Sequence, residues 1–260
     1  LNYDQVNFFK KNGFIKLKKV FSPGAVLKLR AELINLLKKE FKVDPDKEAY
    51  DRFLSLEMIW PDNALLRAYV LSPRLGQISA NLLEVSAVRL YHDNVLAKQS
   101  GCGRTPWHFD DHHFPLDTND VVTAWAPAQP TPIEMGPLSF AYPLDVHELI
   151  KDVTFEKTGT GYDREVSNIF SKNNVSVNAT PFELGEVSFH HNLNFHTASS
   201  NRTNCSRIAL ANTYYRDGAR VINSPTMVSG DWQKFMPNVK PGDIAASPLN
   251  PICWPVKSEI

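Results

Sequence analysis

The chain has 260 residues, 43% hydrophobic and 22% charged, which describes a folded globular protein with a sizeable core and excludes a disordered one. Its 28 basic and 28 acidic side chains cancel to a formal charge of zero, so no broad attraction to phosphate backbones or anionic bilayers exists, and neither nucleic acid nor membrane is an expected partner. The three cysteines, Cys102, Cys205 and Cys253, lie far apart without a CxxC pair, which argues against a disulfide scaffold or structural zinc and makes packing their expected role.

No apolar run approaches the roughly 20 residues of a membrane span. The opening Leu1-Asn2-Tyr3-Asp4-Gln5 lacks a basic region followed by an apolar one, so a cytoplasmic setting is expected. With no linker or low-complexity run, residues 1–260 are expected to form one domain.

The chain begins with helical signals. Residues 3–12 form a short amphipathic segment stopped by Gly13, and Ser22-Pro23 supplies an N-cap followed by proline in the first turn. Val26, Leu29, Leu33, Leu36 and Leu37 then recur at three- and four-residue steps, the spacing that lines one helix face, while Lys28, Arg30, Glu32 and Lys38 fall elsewhere. Ser72-Pro73 repeats the start signal and opens a helix through about Leu83. Beyond position 84 the texture changes to short β-rich runs between turn residues. Strands are predicted at 87–97, 121–126, 138–142, 175–177, 186–190 and 208–215, with a short helix at 162–172. This gives a helical part (about 1–84), a β core (about 85–220) and a tail (about 221–260), and many short strands suggest a barrel or sandwich.

The segment Trp107-His108-Phe109-Asp110-Asp111-His112-His113 carries the most chemistry. On a strand, side chains at i and i+2 share a face, so His108 and Asp110 could converge on one metal ion. A His-x-Asp tripeptide alone is common and more often a surface hydrogen-bonded pair. The second segment, His190-His191-Asn192-Leu193-Asn194-Phe195-His196, changes the weighting. His196 could complete two histidines and one carboxylate around a metal, leaving three octahedral positions for other ligands. Arg207, placed to fall on the next antiparallel strand, could grip a carboxylate-bearing cosubstrate in bidentate fashion.

The ordered motifs Phe8-Phe9-Lys10-Lys11-Asn12-Gly13-Phe14, Arg89-Leu90-Tyr91-His92-Asp93-Asn94 leading to Lys98, Thr105-Pro106-Trp107-His108-Phe109-Asp110, Thr123-Ala124-Trp125, Gly136-Pro137-Leu138 and His190-His191 with His196 and Arg207 cover most of the chain. Together they resemble the phytanoyl-CoA 2-hydroxylase family of iron(II)- and 2-oxoglutarate-dependent oxygenases. The resemblance implies a mainly β fold with flanking helices, the double-stranded β-helix or cupin-like jelly roll. It implies Fe(II) on His108, Asp110 and His196, 2-oxoglutarate with its distal carboxylate on Arg207, and Asn94 and Trp125 lining that cosubstrate. Dioxygen and a small organic molecule are the implied partners, with hydroxylation as the default outcome. Where relatives often carry Ser two residues after the distal histidine this chain has Ala198, so Thr197 or Ser199 would have to supply that hydroxyl. The carboxylate of Asp110 excludes halogenation, because related halogenases place a small residue there to admit chloride.

Other readings stand beside these. His190 or His191 could compete with His196 as third ligand, and His112 and His113 could touch substrate or make supporting hydrogen bonds. Arg89, Arg104, Arg216 and Arg220 could anchor an anion but are more ordinarily surface pairs. Trp60, Trp232 and Trp254 could line a pocket or pack a core. A zinc hydrolase using the same three ligands, which would not need Arg207, and a non-catalytic cupin-like binding protein are the alternatives from other classes.

Overall fold

The computed structural model describes residues 1–47, 51–154, 161–225 and 231–255. The first helix, α1 (Tyr3–Asn12), opens with a reciprocal cap: Gln5 N–H donates to the Asn2 side chain and Asn2 N–H to the Gln5 side chain, both at 2.9 Å. It stops at Gly13, whose φ of 74° is left-handed, and where an added Cβ would lie 2.5 Å from Leu144 Cδ1. Strand β1 (Phe14–Leu17) follows at once. In α2 (Pro23–Phe41), Ser22 caps the Ala25 N–H, and Val26, Leu29, Leu33 and Leu37 are buried as their spacing predicts. Each such side chain contributes roughly 1.5–3 kcal/mol on burial.

A short strand, β2 (Phe53–Glu57), precedes α3 (Ala64–Val70) and α4 (Pro73–Leu83). The remaining elements are β3 (Val88–Lys98), β4 (Thr105–His108), β5 (Val121–Pro127), β6 (Leu138–Tyr142), α5 (Gly161–Lys172), β7 (Ser176–Asn178), β8 (Val187–His191), β9 (His196–Ala198), β10 (Arg207–Arg216) and β11 (Ile252–Trp254). Among the described residues no helix is long and apolar enough to cross a membrane.

All strand pairs are antiparallel and fall into two sheets. The larger runs β1-β8-β5-β10-β3-β11, with β2 also paired to β3; the smaller runs β4-β9-β6-β7. The two form a jelly roll, the double-stranded β-helix. The larger sheet is two-faced in composition. Val95 and Ala97 of β3, Val122 and Ala124 of β5, Val187 and Phe189 of β8, and Ile208 and Leu210 of β10 join one apolar core with Leu29, Leu33 and Leu37 of α2 and Leu75 of α4. The alternate residues, including Asn94, Thr123, Trp125, His190, Arg207 and Thr213, line an interior cavity. Period-two alternation thus separates stability from chemistry, one to each face.

The stretch 1–84 is not purely helical: β1 and β2 lie within it and extend the larger sheet. These strands, with β9 and β11, have three to five residues, and their hydrogen bonds come from distant partners rather than from a periodic pattern of their own.

Candidate metal centre and cosubstrate pocket

The two sheets enclose a cavity of about 430 Å³. His108 ends β4 and is paired in register with His196 at the start of β9, so the imidazoles face each other with ring centroids 4.1 Å apart. Asp110 does not continue the strand as the i, i+2 expectation required. The strand stops at His108, and Asp110 takes helical angles (φ −88°, ψ −14°) before a 3-10 turn at Asp111–His113. Asn192 O holds that turn by accepting from Asp110 N–H at 2.8 Å and Asp111 N–H at 3.1 Å. The convergence survives by another route: one potential ligand atom from each of His108, Asp110 and His196 lies within 4.8 Å of the others.

Backbone carbonyls set the histidine tautomers. His108 Nδ1 is 2.9 Å from Pro106 O, and His196 Nδ1 is 3.0 Å from Asn194 O. A carbonyl only accepts, so each Nδ1 carries the proton and each Nε2 offers its lone pair. Burial, reinforced by His108 and His190, pushes His196 well below the usual imidazole range, which keeps it neutral. Burial alone would raise Asp110, but His196, His190 and His108 outweigh it and hold the carboxyl well below the usual range. Two imidazoles presenting Nε2 and one carboxylate, in an otherwise open cavity, are a donor set suited to iron.

His190 is not placed as a rival to His196. Its Nε2 is 3.2 Å from Asp110 Oδ2, the oxygen that Thr123 Oγ1 also approaches at 3.4 Å, whereas Asp110 Oδ1 lies 3.7 Å from His196 Nε2. His190 therefore supports the carboxylate. His191 turns to the other face of β8: its Nδ1 accepts from Leu193 N–H at 3.2 Å, its ring lies against Phe9, and burial lowers it to about 4. His113 lines the cavity, and the His112 ring packs on Phe109 at 4.0 Å.

Arg207 is 2% exposed at the start of β10. Its Nη1 donates to Gly136 O at 2.6 Å, its Nε has no partner, and among the described residues no carboxylate pairs with it. Burial lowers its pKa to about 10, which leaves it charged at neutral pH. Gly136 must be glycine: φ is 71°, and an added Cβ would lie 2.1 Å from Ser199 O. The Arg207 guanidinium carbon lies 5.3 Å from the Trp125 ring, whose Nε1 is also buried and unpartnered. Asn94 shares this wall; Ser55 Oγ donates to its Oδ1 at 2.9 Å, leaving the amide nitrogen as the donor for a ligand. A buried cation without a counter-ion, beside idle N–H donors, fits an anionic cosubstrate.

Neither neighbour of Ala198 supplies the hydroxyl in question. Thr197 Oγ1 is committed to Thr105 O at 2.5 Å, and Thr197 and Ser199 do not line the cavity, whereas Thr105 does, opposite Ala198 in register. Lys98, which belongs to one of the sequence motifs, was given no role from the sequence. It pairs with Arg207 across β3 and β10, is fully buried, and donates to Ser199 O at 2.9 Å. A lysine at the end of an otherwise inward-outward strand was the signal available.

The bland readings hold for the remaining groups. Arg89 pairs with Asp217, Arg104 with Asp163 at 2.7 Å and Arg216 with Asp120 at 3.4 Å, while Arg220 Nη1 donates to Gly242 O at 2.9 Å. Trp60, Trp232 and Trp254 pack against apolar clusters and do not themselves line the cavity. Cys102, Cys205 and Cys253 are free thiols.

Comparison with known proteins agrees with this fold. The mouse (Mus musculus) peroxisomal phytanoyl-CoA dioxygenase is 24% identical over 231 residues, 81% of this chain and 67% of that protein. The crystal structure of SnoK, a non-heme alpha ketoglutarate dependent carbocyclase from nogalamycin biosynthesis, superposes with a TM-score of 0.77 at 24% identity, covering 97% of this chain and 96% of its own. The epimerase SnoN, in complex with Fe3+, alpha ketoglutarate and nogalamycin RO, superposes with a TM-score of 0.73 at 18% identity, covering 96% and 97%. These likenesses carry the fold. The family assignment comes from the sequence itself, since the model of the phytanoyl-CoA dioxygenase (PhyH) family matches residues 9–209, from α1 through the triad to Arg207. The chain is a member of the phytanoyl-CoA dioxygenase family.

Proposed function

We propose that this protein is an Fe(II)- and 2-oxoglutarate-dependent oxygenase, with 1–260 as one catalytic unit, that hydroxylates an unactivated C–H bond of a small organic molecule. His108, Asp110 and His196 are the iron ligands in this reading, and Arg207 takes the distal carboxylate of 2-oxoglutarate with Asn94 and Trp125 alongside. The observation that carries it is the buried, counter-ion-free Arg207 in the same cavity as the triad. A zinc hydrolase has no use for that cation.

When bound, iron and 2-oxoglutarate supply, with dioxygen, the oxidising power for C–H cleavage, releasing succinate and carbon dioxide. The protein's part is positional. His108 and His196 present Nε2, fixed by Pro106 O and Asn194 O. His190 and Thr123 hold Asp110 Oδ2, which keeps the carboxylate in the ligand set and closes that position to chloride. Leu96, Leu138, Phe114 and Phe235 exclude water from the reacting C–H bond. Hydroxylation is the default outcome that family membership suggests. The carbocyclase and epimerase among the structural neighbours make ring closure and epimerisation the outcomes to test against it.

Anaerobic reconstitution with Fe(II) and 2-oxoglutarate, followed by oxygen and a panel of small organic candidates, tests the reading. Succinate formed in step with a hydroxylated product supports it. No substrate-coupled succinate from any candidate, with chlorinated product or none, contradicts it.

A further inference from the structure

The cavity has two chemically different ends. Arg207 and Thr213 both face inward on β10, six residues apart (213 − 207), which separates them by roughly 20 Å along the strand. The end away from Arg207 is bounded by His92, His113, Phe114, Thr213 and Phe235, with Glu57 nearby. Strand register builds this end. β3 and β10 pair residue for residue as far as His92↔Thr213, and the next pair is Leu90↔Tyr214, so Tyr91 is an extra residue on β3. Such a bulge changes which side chains turn inward. The bulge turns Tyr91 among Phe114, Tyr215 and Phe235, while His92 keeps the inward face it shares with Asn94 and Leu96.

The His92 ring lies on the cavity wall. Its Nδ1 is sealed in protein without a partner, which leaves Nε2 as the nitrogen the cavity can reach. The ring is held edge-on to Phe235 at 4.7 Å and Phe114 at 6.2 Å. Burial lowers its pKa, so it is neutral at neutral pH and able to donate or accept. Glu57 is satisfied by Lys234 at 2.6 Å. With Asp110 and Arg207 assigned to iron and 2-oxoglutarate, no unpaired charge remains among the described lining residues.

We propose that His92 Nε2 orients the substrate through a hydrogen bond, and that the substrate is an uncharged, largely apolar ring system bearing a hydroxyl or carbonyl group. The inference rests on 2-oxoglutarate taking the Arg207 end. Aromatic edges receive the ring, and the imidazole supplies the single polar anchor; nothing in the described lining suits the phosphates of a coenzyme A handle.

Equilibrium dialysis of the full chain in chelator tests this without turnover, using 1-naphthol, naphthalene, 1-naphthoate and octanoyl-CoA as probes. The wild type is expected to bind 1-naphthol roughly three- to tenfold more tightly than naphthalene, the worth of one net hydrogen bond, and more tightly than either anion. His92→Phe should bring the naphthol-to-naphthalene ratio to about one, and His92→Gln should retain it. Should His92→Phe fail to fold, His92→Leu takes its place. Saturating 2-oxoglutarate should leave naphthol binding intact. Equal binding of naphthol and naphthalene by the wild type, a preference that survives His92→Phe, displacement of naphthol by 2-oxoglutarate, or tightest binding of an anionic probe would each overturn the inference. Dialysis needs neither iron nor oxygen, so a protein that shows the naphthol preference but forms no succinate would support this inference and sink the oxygenase reading alone.

Discussion

Replacing Arg207 by methionine should separate stability from binding, because the two respond to the buried charge with opposite sign. In the ligand-free protein Arg207 is 2% exposed, has no carboxylate partner among the described residues and donates from Nη1 to Gly136 O. An unpaired buried charge opposes folding, so an apolar side chain of similar length should leave the ligand-free protein at least as stable as wild type. The cosubstrate has the opposite requirement. A hydrogen bond to a charged group is worth about 1.5–3 kcal/mol, so losing Arg207 should weaken 2-oxoglutarate about 10- to 100-fold. At 100 times the wild-type Kd, 2-oxoglutarate stabilises the wild type by about 2.7 kcal/mol; the same concentration should give the variant only about 0.4–1.4 kcal/mol. At about 2–4 °C per kcal/mol for a chain of this size, thermal shifts of roughly 5–10 °C and 1–5 °C are expected. Thermal unfolding of both proteins with and without 2-oxoglutarate, iron held constant, reads both terms. Equal shifts in the two proteins would refute the role given to Arg207. A variant that unfolds far below wild type without ligand would refute the argument from unpaired charge.

Three further outcomes follow. His190→Phe removes the 3.2 Å contact to Asp110 Oδ2 while keeping a ring in place, and iron affinity should fall about 10- to 100-fold by competition with a chelator; an unchanged affinity contradicts the supporting role. Burial and the neighbouring Arg207 lower Lys98 to about 7 from an ordinary value of 10.5, so between those values the unfolded chain carries a proton that the folded one lacks. Stability of the ligand-free protein should therefore rise with pH across about 7 to 10.5, and a bound 2-oxoglutarate dianion should bring proton uptake at pH 8, seen as buffer-dependent binding enthalpy that Lys98→Met abolishes. Leu33→Ala, at a position with no exposure on the helical core face, should cost about 2–5 kcal/mol in denaturant unfolding and leave the 2-oxoglutarate Kd unchanged; a comparable loss of affinity would deny that the two faces of the larger sheet separate stability from chemistry.

Helices with strong local signals were legible in the sequence: Gly13, Ser22-Pro23 and Ser72-Pro73 mark ends that the structure keeps within a residue or so. The long strands were legible because one face of each packs on helices and is uniformly apolar. The short strands β1, β2, β9 and β11 were not, since their pairing partners are distant in sequence. The triad was found, but for a partly mistaken reason. Asp110 reaches its place through a turn clamped by Asn192 O, a contact no local spacing encodes. The supporting role of His190, the burial of Lys98 beside Arg207 and the bulge at Tyr91 all depend on cross-strand register. One extra residue shifts which side chains face inward, and that residue is invisible until the partner strand is known.

The most direct test of the central claim is an anaerobic titration of the wild type and Asp110→Ala with Fe(II), then 2-oxoglutarate, followed by visible absorption. If His108, Asp110 and His196 hold iron and Arg207 draws the cosubstrate to it, one Fe(II) binds per chain, and 2-oxoglutarate then produces a new saturable absorption band that Asp110→Ala lacks. Iron binding without any 2-oxoglutarate-dependent band, or a band that persists unchanged in Asp110→Ala, would contradict the account.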